Sequence, residues 1–495
     1  MRMKLPYDHT NPERIEEYGK LLVGKTLRQT VPENDLKEYY DRNPSRHKGG
    51  FGEMVEKLYF GISPGNSEGP DFLEAGVELK TNTLIINTQS SRIGIYSAKE
   101  RLSLNLIKLN QQYAVNLKDE TKFYGKNGLI MLMAFMEGDS KKFEDRIFKF
   151  ARLIRFDDFR EDYKQAIYND WKIIVDKVNS GKVFELSGKH TVYLEACRKD
   201  SSEVARYKAF AYKPRFMNTI YDLYLNNIEP TPPIVKNSEA IKEKGFEEAF
   251  KEIFTPYFNL DEDVICAKLN REFPSKNKSR LSIIANSIAG VDINKNSQIE
   301  SRNIQYKTLR LDWDGNPVED WSFPHFTYKG QGSITEEDWD ADEEDLAYPE
   351  IKRLLNEKQF AVFVWKQRRD LGTKGRTMGG ERYYLQDIVF WRMPEYDIET
   401  FVRPVWQKTV SALRNGELNS NGLLDFPKKR FNHVCHIRPH GRNKEDVLPT
   451  LRNGDQPKNC FWLDRKYLIQ NITLFNISEK LSGARPMVWR KGNIR

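Results

Sequence analysis

Closely spaced cysteines are missing from this chain: its four cysteines are widely separated and form no CxxC motif. Such pairs mark disulfide frameworks and structural zinc sites. Both are therefore excluded, and four reduced thiols are expected. His433, His436 and His440 alternate over both faces of a predicted strand, which argues against zinc there as well.

Long apolar runs are also absent. The longest, Leu129 to Met136 and Phe360 to Trp365, are far shorter than the roughly 20 residues that cross a bilayer, and they indicate buried strands. The first residues, MRMKLPYDHTNPERIEEYG, contain no apolar export signal. The sequence therefore predicts a globular protein of the cytoplasm with no membrane partner.

Charge of one sign is only weakly in excess. The 495 residues include 79 Lys and Arg against 71 Asp and Glu, a net charge of +8. This balance mildly favours an anionic partner such as DNA. The length exceeds what one hydrophobic core usually serves, so several domains are expected.

Two halves of similar plan are separated by a proline-rich segment. Residues 228–246 read IEPTPPIVKNSEAIKEKGF, three prolines followed by polar residues, which is typical of a linker. We predict domains at 1–228 and 247–495 with a linker at 229–246. Weak matches recur in the same order on both sides, with GVELKT matching NIQYKT and Arg198 matching Arg438. The pattern predicts a duplicated α+β domain, each copy a mixed sheet flanked by helices.

The segment GPDFLEAGVELKT concentrates groups that suit phosphodiester chemistry. Asp71 follows a Gly-Pro turn, and Glu78 and Lys80 stand two apart in a predicted strand, so they share one face. Hydrolysis of a phosphodiester needs oxygen ligands for a hard cation such as Mg²⁺ and a group that positions water. Asp71 and Glu78 are the candidate ligands, and Lys80 is the candidate positioning group. The E-x-K element alone is common by chance, so its context must carry the inference.

Glu56 is a candidate for a third metal-binding carboxylate. It lies at the edge of an apolar stripe at helical spacing just upstream. The alternative is that Glu56 is a solvated helix residue paired with Lys57 or Lys48, and that Asp71 is an ordinary turn residue.

Together these motifs resemble those of the MutH-type endonucleases, a branch of the PD-(D/E)xK nucleases. The matching elements are KGGFGEMVE with Lys48, Gly49 and Glu56, then PD at Asp71, then ELK, then SAKERL from Ser97. The longer GATC-cutting type II restriction enzymes of that branch fit best, because the similarity extends over nearly the whole chain.

The resemblance implies Mg²⁺-dependent double-strand cleavage at 5′-GATC-3′. It also implies an active-site role for Lys126, base contact by the loop at Arg198, and a second half that has lost catalysis and binds DNA as a regulatory domain. In agreement, Glu56 aligns with Ala285 and Glu78 with Gln305. The implied partners are double-stranded DNA, in a DNA-induced dimer or a looped two-site complex, and a cognate DNA methyltransferase encoded alongside.

Basic residues in both halves are candidates for DNA contact. Arg198 and Lys199 in the first half correspond to Arg438 and His440 in the second, and arginine paired to guanine is the commonest specific contact. Solvated surface loops are the alternative. The acidic stretch 336–345 is expected on a face away from DNA or in a mobile loop. The basic segment 368–382 is expected to be either a flexible loop that folds onto DNA or the tip of a disordered hairpin.

Two other functions remain open from the sequence. A mismatch-repair nickase would use the same chemistry but needs only one such domain. A non-catalytic DNA-binding protein would not need the complete set of Glu56, Asp71, Glu78 and Lys80.

Overall fold

The computed structural model describes residues 5–42, 50–62, 69–87, 94–109, 111–138, 142–186, 191–198, 208–272, 279–330, 332–341, 347–369, 382–443 and 445–472. The chain forms two compact units. The first is Met1–Pro232 with Asn237–Glu243, and the second is Pro233–Lys236 with Lys244–Arg495. The chain passes from one unit to the other within the proline-rich segment. Across the described ranges, no helix combines the length and apolar character needed to cross a membrane.

The first unit is α+β, as predicted. Its described helices are α1 (Pro12–Lys20), α2 (Glu33–Arg42), α3 (Gly50–Met54), α4 (Thr121–Asn127), α5 (Glu161–Asn179) and α6 (Pro214–Tyr224), followed by α7 (Ser238–Lys244) at the boundary. Its described strands are β1 (Glu78–Ile86), β2 (Tyr96–Ala98), β3 (Leu102–Leu106), β4 (Leu129–Met136), β5 (Phe148–Arg155), β6 (Leu194–Arg198) and β7 (Lys208–Tyr212).

A four-stranded mixed sheet of order β2-β1-β4-β5 forms the centre of this unit. Strands β1 and β4 are parallel, and the outer two are antiparallel to their neighbours. Met131 and Met133 of β4 face one hydrophobic core while Ile130 and Leu132 face the other. Because both faces of β4 are covered, its sequence is apolar throughout rather than alternating. A separate antiparallel sheet has the order β3-β7-β6.

The second unit contains its own helices and strands. The described helices are α8 (Phe246–Phe254), α9 (Glu262–Lys268), α10 (Arg280–Ala289), α11 (Ser297–Glu300), α12 (Glu350–Glu357), α13 (Glu395–Asp397) and α14 (Arg403–Asn415). The described strands are β8 (Ile304–Leu311), β9 (Trp321–His325), β10 (Gln359–Gln367), β11 (Tyr383–Trp391), β12 (Cys435–Pro439), β13 (Val447–Pro449), β14 (Asp455–Pro457) and β15 (Asn459–Leu463).

The second unit repeats the strand connectivity of the first. Its main sheet has the order β11-β10-β8, with β8 and β10 parallel and β11 antiparallel, just as β1, β4 and β5 are arranged. Its small sheet, β12-β15-β9, corresponds to β6-β7-β3, and both small sheets carry an irregularity at the same place in the ladder. The pair β13 and β14 lies between β12 and β15, and the corresponding residues of the first unit, 199–207, lie outside the described residues. A duplicated chain accounts for two sheets that share order, direction and irregularity.

The described part of the acidic stretch is anchored to the second unit rather than forming a loose loop. Glu337 accepts hydrogen bonds from Trp406 Nε1 at 2.6 Å and from the backbone N–H of Glu350 at 3.0 Å. Trp339 is buried and donates its Nε1–H to Glu399. These contacts attach the segment to α12 and α14. Residues 342–346 and 370–381 lie outside the described residues, and the latter range holds most of the predicted basic loop, 368–382.

Candidate active site

A tight turn places Asp71 beside the start of β1. Phe72 and Val77 form an isolated antiparallel bridge, and Gly76 between them has a φ of 67°, a backbone conformation that glycine adopts readily. The Asp71 carboxylate accepts a hydrogen bond from the backbone N–H of Leu79 through Oδ2 at 2.9 Å. Asp71 is therefore held against the strand that carries Glu78 and Lys80.

Glu78 and Lys80 share one face of β1 and form an ion pair. Lys80 Nζ lies 2.5 Å from Oε1 of Glu78, whose side chain is 2% exposed. Lys126, from the last turn of α4, brings a second ammonium to 3.6 Å from the same oxygen. Since β1 and β4 are parallel, their first residues lie at one edge of the sheet, and α4 leads directly into β4.

The second oxygen of Glu78 has no such partner. Oε2 is buried and accepts no hydrogen bond from the described residues. Burial raises the pKa of Glu78, and the Lys80 ammonium acts against that rise. A buried carboxylate oxygen that lacks a donor is costly unless another group compensates it. The neighbourhood of Glu78 Oε2 therefore suits a cation.

Glu56 faces the same cluster from the helix. It lies in a π-helical turn, Val55–Tyr59, that continues α3, and such turns recur at functional sites. Burial raises the pKa of Glu56 to about 7, with further contributions from the charges of Asp71 and Glu78. The alternative pairing with Lys57 is not found, because Lys57 binds Glu53 at 2.7 Å.

The donor set fits a hard divalent ion. Three carboxylates, Glu56, Asp71 and Glu78, supply oxygen ligands of the kind that Mg²⁺ takes, and their mutual repulsion is relieved by positive charge. Within the described ranges, no three acidic, histidine or cysteine side chains already stand together as a complete metal-binding set. Lys80 occupies the position beside Glu78 in this arrangement.

The other predicted site residues are placed unequally. Lys48, Gly49 and Lys199 lie outside the described residues. Arg198 is the last residue of β6, where its backbone pairs with Lys208. The DNA contacts predicted for these four residues therefore stay predictions.

Arg438 and His440 of the second unit meet on one aromatic side chain. The Arg438 guanidinium lies 4.8 Å from the ring centre of Trp462, and the His440 ring stands edge-on to the same indole at 5.3 Å. Arg438 also approaches Asp320, with Nη1 3.2 Å from Oδ2. Sequence reasoning missed both Trp462, on the neighbouring strand β15, and Asp320, which directly precedes β9, because only the folded chain brings these distant residues close to Arg438.

The register of the small sheets shifts one sequence match. Leu102 pairs with Tyr212 as Trp321 pairs with Leu463, and Leu194 pairs with Tyr212 as Cys435 pairs with Leu463. Counting along these strands puts Cys197 at the position of Arg438. The predicted match between Arg198 and Arg438 is therefore wrong by one residue.

The second unit retains the frame of the site but replaces its acids. Strand β8 runs beside β10 as β1 runs beside β4, with Gln305 and Lys307 standing at the positions of Glu78 and Lys80. Asn294 accepts a hydrogen bond from the backbone N–H of Tyr306 at 2.9 Å, as Asp71 does from Leu79. Asn294 is thus the counterpart of Asp71, which no local motif indicates.

The helix shows a third replacement. The buried residues Phe51, Met54 and Val55 recur at the same spacing as Leu281, Ile284 and Ala285. The next residue is Glu56 in the first unit and Asn286 in the second. Asn286, rather than the predicted Ala285, therefore occupies the position of Glu56. All three acids are replaced by amides.

Carboxylates and lysines gathered at the edge of a mixed sheet define a nuclease type of site. Residues 60–170 match the family model described as DNA mismatch repair enzyme MutH. The chain is also 29% identical over 483 residues to the type II restriction enzyme Sau3AI of Staphylococcus aureus, a match that covers 92% of each chain. Together the two matches support a MutH-like type II restriction endonuclease, a site-specific deoxyribonuclease.

Proposed function

We propose that the protein makes Mg²⁺-dependent double-strand cuts in DNA at 5′-GATC-3′, using Glu56, Asp71, Glu78, Lys80 and Lys126. The observation that carries this proposal is the buried Oε2 of Glu78, which lacks a donor among the described residues while two ammonium groups flank Oε1. The family-model match contains the turn, β1 and α4 and so contains most of this cluster.

The residues divide the work by charge. Glu56, Asp71 and Glu78 would hold Mg²⁺, which when bound stabilises charge on the phosphate and lowers the pKa of water. Lys80, two residues from Glu78 on the same face, is placed to orient the attacking water through its N–H donors. Lys126 is placed to stabilise negative charge on the phosphate oxygens. Asp71 has a second role, because it fixes the turn to β1.

The target sequence and the role of the second unit rest on resemblance. The motifs resemble those of GATC-cutting enzymes, and the match to Sau3AI extends over both units. We infer that the second unit binds a further copy of the site without cutting it, in a looped complex or a DNA-induced dimer. Amides in place of acids support that inference, since Asn286, Asn294 and Gln305 do not carry the charge that a divalent cation needs. We infer that the protein acts in the cytoplasm. A cognate methyltransferase, encoded by a neighbouring gene, would protect the DNA of the same cell from cleavage.

Plasmid cleavage tests the proposal. Purified protein with Mg²⁺ is expected to give discrete linear fragments with ends at GATC, and chelation by EDTA is expected to stop the reaction. Lys80→Ala and Glu78→Gln should each lower the rate at least about 100-fold. Glu74→Gln is the matched control, because Glu74 is exposed in the same turn.

Each rival function has its own outcome in this assay. Nicked circles that never become linear would indicate a mismatch-repair type of nickase. Retarded but uncut DNA at every Mg²⁺ concentration would indicate a non-catalytic binding protein. Cleavage that survives both Lys80→Ala and Glu78→Gln would refute the assignment of the site.

A further inference from the structure

The carboxylate of Asp320 is nearly buried and is surrounded by positively charged side chains and an N–H donor. It directly precedes β9, and its side chain is 7% exposed. Oδ1 accepts from Lys429 Nζ at 2.8 Å and from the backbone N–H of Arg465 at 3.0 Å, while Oδ2 accepts from Arg438 at 3.2 Å. These contacts lower the pKa of Asp320 despite its burial. The carboxylate is therefore a fixed anion.

Asp320 and Trp462 together restrict Arg438 from two directions. The carboxylate binds one nitrogen of the guanidinium, and the indole lies beside its plane. The Arg438 side chain nevertheless remains 52% exposed. A planar guanidinium that is oriented and still accessible suits recognition of a guanine edge or a phosphate, where geometry matters more than charge.

The first unit has the opposite charge at this place. The strand register aligns Asp320 with Arg101 and His436 with Glu195. Arg101 pairs with Glu195 at 3.1 Å, whereas Asp320 lies 3.7 Å from a fully buried His436. Neither ring nitrogen of His436 makes a hydrogen bond within the described part of the chain. The inherited ion pair is therefore lost, and Asp320 instead binds Lys429 and Arg438.

We propose that Asp320 is a positioning residue for DNA recognition by the second unit, which orients Arg438 toward a base edge. The inference rests on the proposed function of that unit as a DNA-binding domain. A fixed carboxylate among groups that face a polyanion repels the phosphate backbone. Asp320 can therefore favour DNA binding only by orienting Arg438, whereas an ordinary surface carboxylate would only weaken it.

The sign of one substitution tests the proposal. In a Glu78→Gln background that does not cut, Asp320→Asn removes one negative charge while keeping the shape. Electrostatics alone would tighten binding to any duplex. Loss of positioning should instead weaken the Arg438-dependent binding of a GATC duplex about tenfold, while affinity for a duplex without the site stays equal or rises.

Glu319→Gln is the matched control, because it removes the same charge from the preceding residue. Glu319 pairs with Arg310 at 2.6 Å rather than with Arg438. We expect it not to weaken the binding of the GATC duplex. A double-mutant cycle completes the design. Asp320→Asn should have no further effect once Arg438 is alanine. Arg438→Lys, which keeps the charge but not the plane, should reproduce the loss and provides the test if Asp320→Asn fails to fold.

Two results would overturn the inference for different reasons. If Asp320→Asn tightens GATC binding as Glu319→Gln does, while Arg438→Ala still weakens it, Asp320 does not position Arg438 although the second unit binds DNA. If Arg438→Ala leaves the binding of every duplex unchanged, the proposed function of the second unit fails as well.

Discussion

Replacing Glu56 by glutamine should stabilise the metal-free first unit and abolish cleavage at the same time. The pKa of Glu56 is raised from 4.5 to about 7 by burial and by the neighbouring acids. From about pH 4.5 upward, an unfolded chain releases this proton more readily than the folded unit does. Ionisation therefore costs folding stability, and the whole cost is present above pH 7.

The magnitude follows from the size of the shift. A pKa rise from 4.5 to about 7 corresponds to about 3 kcal/mol at most. Glu56 is partly exposed, and solvent screening reduces this to about 1.5 kcal/mol. For a unit of this size that is a rise of roughly 3 to 6 °C in the unfolding temperature.

Thermal unfolding in EDTA at pH 5 and pH 8 measures this effect. The gain of Glu56→Gln over the parent should be small at pH 5 and near its full value at pH 8, and adding Mg²⁺ should stabilise the parent more than the variant. Glu53→Gln is the control, since Glu53 lies on the same helix but pairs with Lys57. An equal gain at both pH values, or a variant that still cuts DNA, would refute this account of Glu56.

Three further predictions follow from the comparison of the two units. Asp71→Asn should lose cleavage but unfold at the same temperature as the parent, because Asn294 accepts the equivalent hydrogen bond from Tyr306. Asp71→Ala should lose cleavage and also unfold at a lower temperature. Equal unfolding temperatures for the two variants would contradict this. Burial lowers the pKa of His436 from 6.5 to about 4, so the unfolded chain binds this proton at a higher pH than the folded unit does. The free energy of unfolding of the second unit should therefore fall by up to about 3 kcal/mol between pH 6.5 and pH 4. Urea unfolding of the parent and of His436→Phe measures this, and an equal fall in the variant would rule it out. Arg438→Ala should weaken cooperative two-site cleavage while single-turnover cutting of bound DNA stays near normal, and an equal fall in both rates would argue against a separate role for the second unit.

The acidic and basic residues of the first site were predictable because they are local in sequence. Glu78 and Lys80 share a face by strand periodicity, and Asp71 lies one turn upstream. Nothing in the spacing gives the 2.5 Å contact between Lys80 and Glu78 or the approach of Lys126, since α4 reaches the site through the parallel pairing of β1 and β4. Contacts between distant segments depend on the sheet as a whole.

Register was the weakest point of the sequence reasoning. In a strand, a slip of one residue moves every side chain to the opposite face, so a match that looks adequate in letters can place a residue on the wrong side. This is what happened with Arg198 and Arg438, which the ladders place one position apart. The helix match of Glu56 failed in the same way, because the π-helical turn Val55–Tyr59 has no counterpart in α10. An added residue in one helix shifts the alignment where it occurs.

The amide replacements in the second unit also explain how that unit can keep the frame of a metal site without the metal. Burial and the charge of Asp71 raise the pKa values of Glu56 and Glu78, and the Lys80 ammonium acts against both rises, so the first unit depends on positive charge for full stability. Asn286, Asn294 and Gln305 remove that repulsion but preserve the hydrogen bond that holds the strand. Lys307 has then lost its acidic partners; burial lowers its pKa to about 8, and it donates to the carbonyl of Ser322 instead. We expect a unit altered in this way to fold without a cation and, under the proposed function, to bind DNA in EDTA as well as in Mg²⁺. A binding contribution from Arg438 that disappears on chelation would show this reasoning to be wrong.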